Sequence, residues 1–365
     1  MQTGSPIAEK PRRLLGIDLL RGLAAYAVVV IHSFGHIERT ATALAIGRFC
    51  IGFAVPFFLA AAYAFSIPKI LADGGRGLIR TRLRRLVVPY LVWTAIYTAL
   101  RSVISLERGA WYLRVLYYDP LGLLLLGEAA VHLYFVPLLI VGELVAIALI
   151  GLLGPWARRP VPIALLSIAA FALSIADPFG ALARRPPYLV DPLIHLTVVL
   201  ADFVVWSLPY IVVGLCLGQE PVRRRLSHLR WPHGLLLLAM ALGLAAAATI
   251  RGPVLPHLIQ DVVIANALLL SAVAISPYLR PSRWIDSLGI CAFGIYLIHH
   301  AVLEVIERAT AAVPPLRGAV GDAPRLLASA GLVFAVSWLL VALGARIPTL
   351  ARIAFGIEPR PRPGP

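Results

Sequence analysis

Cysteine is scarce in this chain, three in 365 residues. Cys50, Cys216 and Cys291 each lie inside an apolar stretch with no second thiol or imidazole at ligand spacing. That excludes a disulfide framework, and no metal site is expected from these spacings. Charge is also scarce at 14%, and acid is scarcer than base, 18 Asp and Glu against 33 Lys and Arg. Soluble domains do not combine so little charge with 60% hydrophobic residues and repeated apolar runs of about 20 residues, the length that crosses about 30 Å of hydrocarbon. A convincing internal repeat and a long soluble insertion are lacking too. The first apolar run follows Lys10, Arg12 and Arg13, as a signal peptide would. It is too long and has no small-residue cleavage site, so it reads as an uncleaved first helix.

What is present is a set of apolar runs between polar or Pro-rich breaks. Their spacing predicts an all-α, polytopic transmembrane helix bundle of about ten spans, at 15–37, 44–67, 87–105, 132–153, 161–179, 199–218, 234–250, 257–279, 285–306 and 325–347. Leu121 to Leu126 is too short to cross and reads as interfacial or re-entrant. The net charge of +15 would suggest nucleic acid in a soluble protein. Here no nucleic-acid partner is expected, because the Lys and Arg gather in alternate loops, as they do on the cytoplasmic side of a membrane. Lys69, Arg76, Arg80, Arg82, Arg84 and Arg85 fill the first such loop. An even span number then puts both termini in the cytoplasm. Residues 1–14 form a cytoplasmic segment, 15–350 one membrane domain, and 351–365, with its Arg-Pro alternation, a disordered tail.

Arg21 and His32 are the residues that stand out within this apolar background. On an α-helix, eleven positions place them within about 20° of one face and about 16 Å apart along the axis. Asp18 lies near the same stripe. An ionisable group at membrane depth costs several kcal/mol unless it is paired or lines a wet cavity, which makes such residues functional candidates. An imidazole titrates near neutrality and can accept a proton from an attacking hydroxyl, with a covalent acyl-histidine as the other route. The alternative for His32 is capping of a neighbouring backbone group. Arg21 offers a fixed fork of donors to an anion, or it forms a packing ion pair with Asp18. His132 and Glu143 repeat the eleven-residue offset in the fourth run, with Glu143 able to pair with Arg21. Tyr296 and His299 lie one turn apart, next to His300.

The Arg21 to His32 spacing resembles the arginine-x10-histidine signature of the acyltransferase-3 family, integral-membrane acyltransferases that modify bacterial surface glycans and some secondary metabolites. Ile17 to Ala25 is similar to that family's opening, and Gly52-Phe53-Ala54-Val55-Pro56-Phe57-Phe58 to its second-helix pattern. Arg84 to Tyr90 with Trp93, His132 to Pro137, and Gly294 to His299 resemble three later blocks in the same order. Two departures stand out: Leu59-Ala60-Ala61-Ala62 replaces the usual Ser-Gly pair, and no hydrolase-like domain follows the tenth run.

The resemblance implies an O-acyltransferase with no permanently bound cofactor, taking an acyl group from acyl-CoA, acetyl-CoA first among them. The acceptor would be a hydroxyl of a glycan, a glycolipid or another small hydroxylated molecule, and the site the bacterial inner membrane. It implies His32 and Arg21 as catalytic residues and Arg82 with Arg84 on donor phosphates. Tyr296, His299, His132 and Glu143 would line the substrate. A membrane transporter or flippase of a lipid-linked sugar is the rival class, though neither inverted repeats nor matched interrupted helices are evident. An O-acyltransferase acting on a secondary metabolite uses the same chemistry.

Overall fold

The computed structural model describes residues 13–34, 40–75, 77, 79–311 and 322–358, and all regular structure among them is helical. Nine helices among the described residues are long and apolar enough to cross a membrane, from Leu15–His32 to Ala323–Gly344. The fifth expected span is the shorter apolar helix Pro160–Ala176, of 17 residues. The chain is thus a multi-pass membrane protein, and each of its ten apolar runs is helical. Residues 1–12, Arg76, the side chain of Arg80 and the tail from 359 onward lie outside the described residues.

Leu15–His32 packs chiefly against Arg283–Ala311 and also against His257–Ile275. Glycine sets these crossings. A methyl group on Gly16 would lie 2.2 Å from the Ala272 carbonyl oxygen, and one on Gly289 would meet the Asp18 carboxylate at 2.2 Å. Close backbone approach through small residues is how membrane helices gain packing when lipid and side chain are equally apolar. The first helix is thereby held deep in the bundle, with Ala24, Ala25, Val29 and Val30 buried.

Three sequence expectations are corrected. The second run is two helices, Ala41–Ile51 and Ala54–Asp73, joined at Gly52 and Phe53. Pro56 lacks an amide hydrogen and is best accommodated in a first helical turn, where that hydrogen would have no intrahelical partner, and the new helix starts two residues before it. The fourth helix begins at Phe135, which leaves His132 in the preceding turns. His132 and Glu143 therefore do not share one helix face. At the C-terminal end, Pro348–Phe355 is helical with Ala351, Ala354 and Phe355 buried. Trp93 Nε1 donates to the Ala354 carbonyl at 2.7 Å, so order extends beyond the boundary expected at 351.

The short segment at Gly122–Leu126 is a single π-turn that stops at Gly127. Gly127 has φ +83°, and a methyl group there would lie 2.6 Å from the Leu133 carbonyl carbon. Only glycine meets both conditions. The chain doubles back at this point and carries His132 into the bundle.

Candidate active site

Two cavities enter the bundle. The larger, about 1300 Å³, has a basic wall that includes Arg13, Arg21, Lys69, Arg82 and Arg85. The smaller, about 560 Å³, is lined mainly by apolar and aromatic side chains together with His32, His132 and Asp261. Phe135 and Tyr296 line both, with ring centroids 5.5 Å apart. Arg21 and His32, on one helix face, consequently open into different chambers. The first helix spans the partition.

His32 belongs to a cluster of four imidazoles. Its ring centroid lies 5.3 Å from that of His299, 6.0 Å from His132 and 5.8 Å from His300. The rings of His132 and His300 stack at 5.3 Å with an interplanar angle of 12°. Three separate segments meet here: the end of the first helix, the turns before Phe135, and the middle of Arg283–Ala311. Tyr296 fixes two of them by donating its hydroxyl hydrogen to the His132 carbonyl. His299 Nδ1 lies 2.7 Å from the Tyr296 carbonyl, an acceptor only. Nδ1 must carry the proton, which leaves Nε2 of a neutral ring as the basic nitrogen. Tyr97 adds a brace, donating to the Leu297 carbonyl at 2.8 Å and accepting from the Ala301 amide at 3.2 Å. Tyr134 also lines the smaller cavity.

On the basic side, Arg82 Nη2 lies 2.9 Å from Glu143 Oε1. Glu143, expected beside Arg21, is thus the partner of Arg82 instead. Asp18, expected as Arg21's partner, receives Arg13 Nε at 2.5 Å. Arg13 also reaches Asp286 at 3.1 Å. Among the described residues Arg21 has no carboxylate within ion-pair distance, so its guanidinium faces the cavity without a salt bridge.

The expected Arg82 and Arg84 pair is not brought together at the cavity. Arg82 lines it, whereas Arg84 is exposed and lies off the wall. Residues two apart on a helix point about 200° apart, whereas residues three apart share a face. Arg85 is therefore the second arginine of the wall. Its Nε donates to the Gly356 carbonyl at 3.0 Å, and Gly356, Ile357 and Glu358 complete the rim.

The structure places His32, His132 and Tyr296 on the smaller cavity and Arg21, Arg82 and Tyr296 on the larger. His299 and Glu143 are buried behind these walls, against His32 and Arg82 respectively. The sequence pointed to Arg85 only as one of the arginines of the basic loop and to Arg84 as the partner of Arg82, although three-residue spacing from Arg82 was a usable signal for Arg85. Sequence reasoning passed over Asp261, whose position in an apolar run was the only hint.

The helix bundle thus holds a basic chamber and an apolar one on either side of a wall that includes Phe135 and Tyr296, with the histidine cluster on the apolar side. The family model described as an acyltransferase domain matches residues 14–342. The chain belongs to that acyltransferase-3 family and is a membrane acyltransferase. No curated protein and no solved structure matches it.

Proposed function

We propose that this protein is an O-acyltransferase of the bacterial inner membrane, with both termini in the cytoplasm, that moves an acyl group, acetyl in the first instance, from acyl-CoA to a hydroxyl. The observation that carries the reading is the partition. A wall with Arg21, Arg82 and Arg85 suits the phosphates of a cytosolic thioester, and the chamber containing His32 suits the acceptor.

In this reading Arg82 and Arg85 hold donor phosphates through charge-assisted hydrogen bonds. Arg21, deeper in the same chamber, holds a further anionic group of the donor, whose thioester end passes the Phe135–Tyr296 wall to reach His32. His32 takes the proton of the acceptor hydroxyl while its oxygen attacks the thioester carbon. The C–S bond breaks, the acyl group stays on the acceptor oxygen, and the proton leaves on the CoA thiol. His299 and Tyr296 are positioning residues, holding the His32 ring and the His132 segment. The acceptor is a glycan, a glycolipid or a small hydroxylated molecule that enters the second chamber from the outer face.

The test is mass analysis of surface glycans and lipids from cells carrying the native protein or His32→Ala. Loss of one acyl mass from a single species in the variant names both acyl group and acceptor. Identical spectra with both proteins present at equal levels would overturn the reading.

A further inference from the structure

Away from the histidine cluster, Asp119, Glu128 and His195 converge where the doubled-back segment meets the start of Pro192–Gly218. Asp119 and His195 are each 2% exposed. His195 Nδ1 lies 2.7 Å from Asp119 Oδ2, the length of a strong hydrogen bond to a carboxylate. Asp119 Oδ1 is occupied by the Gly122 amide at 2.7 Å. His195 Nε2, on the other side of the ring, has no hydrogen-bond partner among the described residues and faces Glu128 Oε1 at 3.4 Å. That is too long for an N–H···O bond between charged partners, which runs at about 2.7–2.9 Å. It is the separation of two ligand atoms that sit about 2.0–2.1 Å from one tetrahedral zinc ion, about 3.3–3.4 Å.

Two further observations fit a cation here. A methyl group on Gly122 would come within 2.5 Å of Glu128 Oε2 and 2.8 Å of Asp119 Oδ2, so the absent side chain keeps open the space on which both carboxylates border. Arg101, the nearby guanidinium, donates to the backbone carbonyls of Glu128 and Ala129 at 2.8 and 3.4 Å rather than to a carboxylate. Among the described residues His195 is the only side chain within ion-pair distance of either acid, which leaves a carboxylate face open to a cation.

We propose that Glu128, His195 and Asp119 form a divalent metal site of the zinc type. His195 Nε2 and Glu128 are ligands, Asp119 holds the Nδ1 hydrogen of His195, and water fills the remaining positions. A carboxylate on the far nitrogen of a metal-bound histidine is a recurrent arrangement that fixes the ring and raises its basicity. The metal would tie the doubled-back segment, four residues before His132, to the helix that begins at Pro192. The proposal makes no use of acyl transfer and stands or falls apart from it.

The experiment uses full-length, detergent-solubilised protein without a polyhistidine tag, stripped with a chelator and titrated with Zn²⁺. Native protein is expected to take up one zinc per chain at micromolar concentration and to melt at a higher temperature with zinc than without. His195→Gln and Glu128→Gln should abolish both effects. Asp119→Asn should weaken binding about tenfold or more while retaining it, as expected for an orienting carboxylate. Zinc uptake that survives in both ligand variants would assign the metal to the histidine cluster and overturn the proposal. No uptake by native protein would do the same, with a doubly protonated His195 as the counter-ion instead.

Discussion

Arg82, on the wall of the basic chamber, meets Glu143 behind that wall, 2.9 Å apart, with the Glu143 side chain only 2% exposed. Removing one member of such a buried pair leaves an uncompensated charge, at a cost of about 3–5 kcal/mol. The pair thus fixes where Arg82 can present its remaining N–H groups.

This separates stability from donor binding. Glu143→Gln alone and Arg82→Gln alone should each lower the melting temperature, and the double variant should recover most of the loss. Donor affinity should not recover in the double variant, because the phosphate fork is still absent. Thermal melts and the acyl-CoA Michaelis constant, measured on the same three proteins, check this.

The two neighbouring arginines should behave differently. Arg85→Gln is expected to raise the donor Michaelis constant well above its effect on the rate at saturation, the pattern of lost uniform binding. Arg84→Gln, off the wall, should change either by less than twofold. Equal effects from both would remove the argument from helix geometry.

His32→Ala should lower acyl transfer by roughly 10²- to 10⁴-fold, the usual contribution of a general base. Expression and melting temperature should stay close to native, since the substitution removes a polar side chain from a membrane helix. Turnover by purified protein is the measurement, and a rate near native would sink the assignment.

Gly127→Ala tests the doubled-back segment. The new methyl group meets backbone at 2.6 Å in a left-handed turn, a conformation that costs a non-glycine residue about 1–3 kcal/mol even without a clash. The variant should melt lower and lose acyl transfer together, because the turn carries His132 to His32. Gly109→Ala, also at positive φ but with open space around it, should leave transfer largely intact.

Sidedness is checked with single cysteines in a background lacking Cys50, Cys216 and Cys291. Gly77 and Arg224 flank basic segments and should be shielded from an impermeant thiol reagent in intact cells. Tyr118 and Arg185, exposed at the other end of the bundle, should label. Labelling at Gly77 would put the basic chamber on the wrong side for a cytosolic thioester.

The fold was largely legible because burial in lipid demands long apolar runs with internally satisfied backbones. Each of the ten runs in the sequence is helical among the described residues, nine of them long enough to cross. Arg21 and His32 were legible for the same reason: charge at membrane depth is conspicuous. What escaped were features set by local backbone rather than composition. Hydropathy does not register that Pro56 restarts a helix or that His132 precedes one. The partner of Glu143 could not be read from its spacing, because Arg82 arrives from another helix. The Arg82 and Arg84 pairing followed the motif, whereas the cavity wall follows the helical repeat and selects Arg85.

The wall shared by Phe135 and Tyr296 bears on reaction order. With a separate chamber on each side of that wall, neither substrate has to vacate the protein before the other arrives, and a ternary complex is sterically open. Initial rates measured at several fixed concentrations of acceptor should then give intersecting double-reciprocal lines, the signature of a sequential mechanism. An acyl-histidine route would release free CoA before the acceptor binds and would give parallel lines.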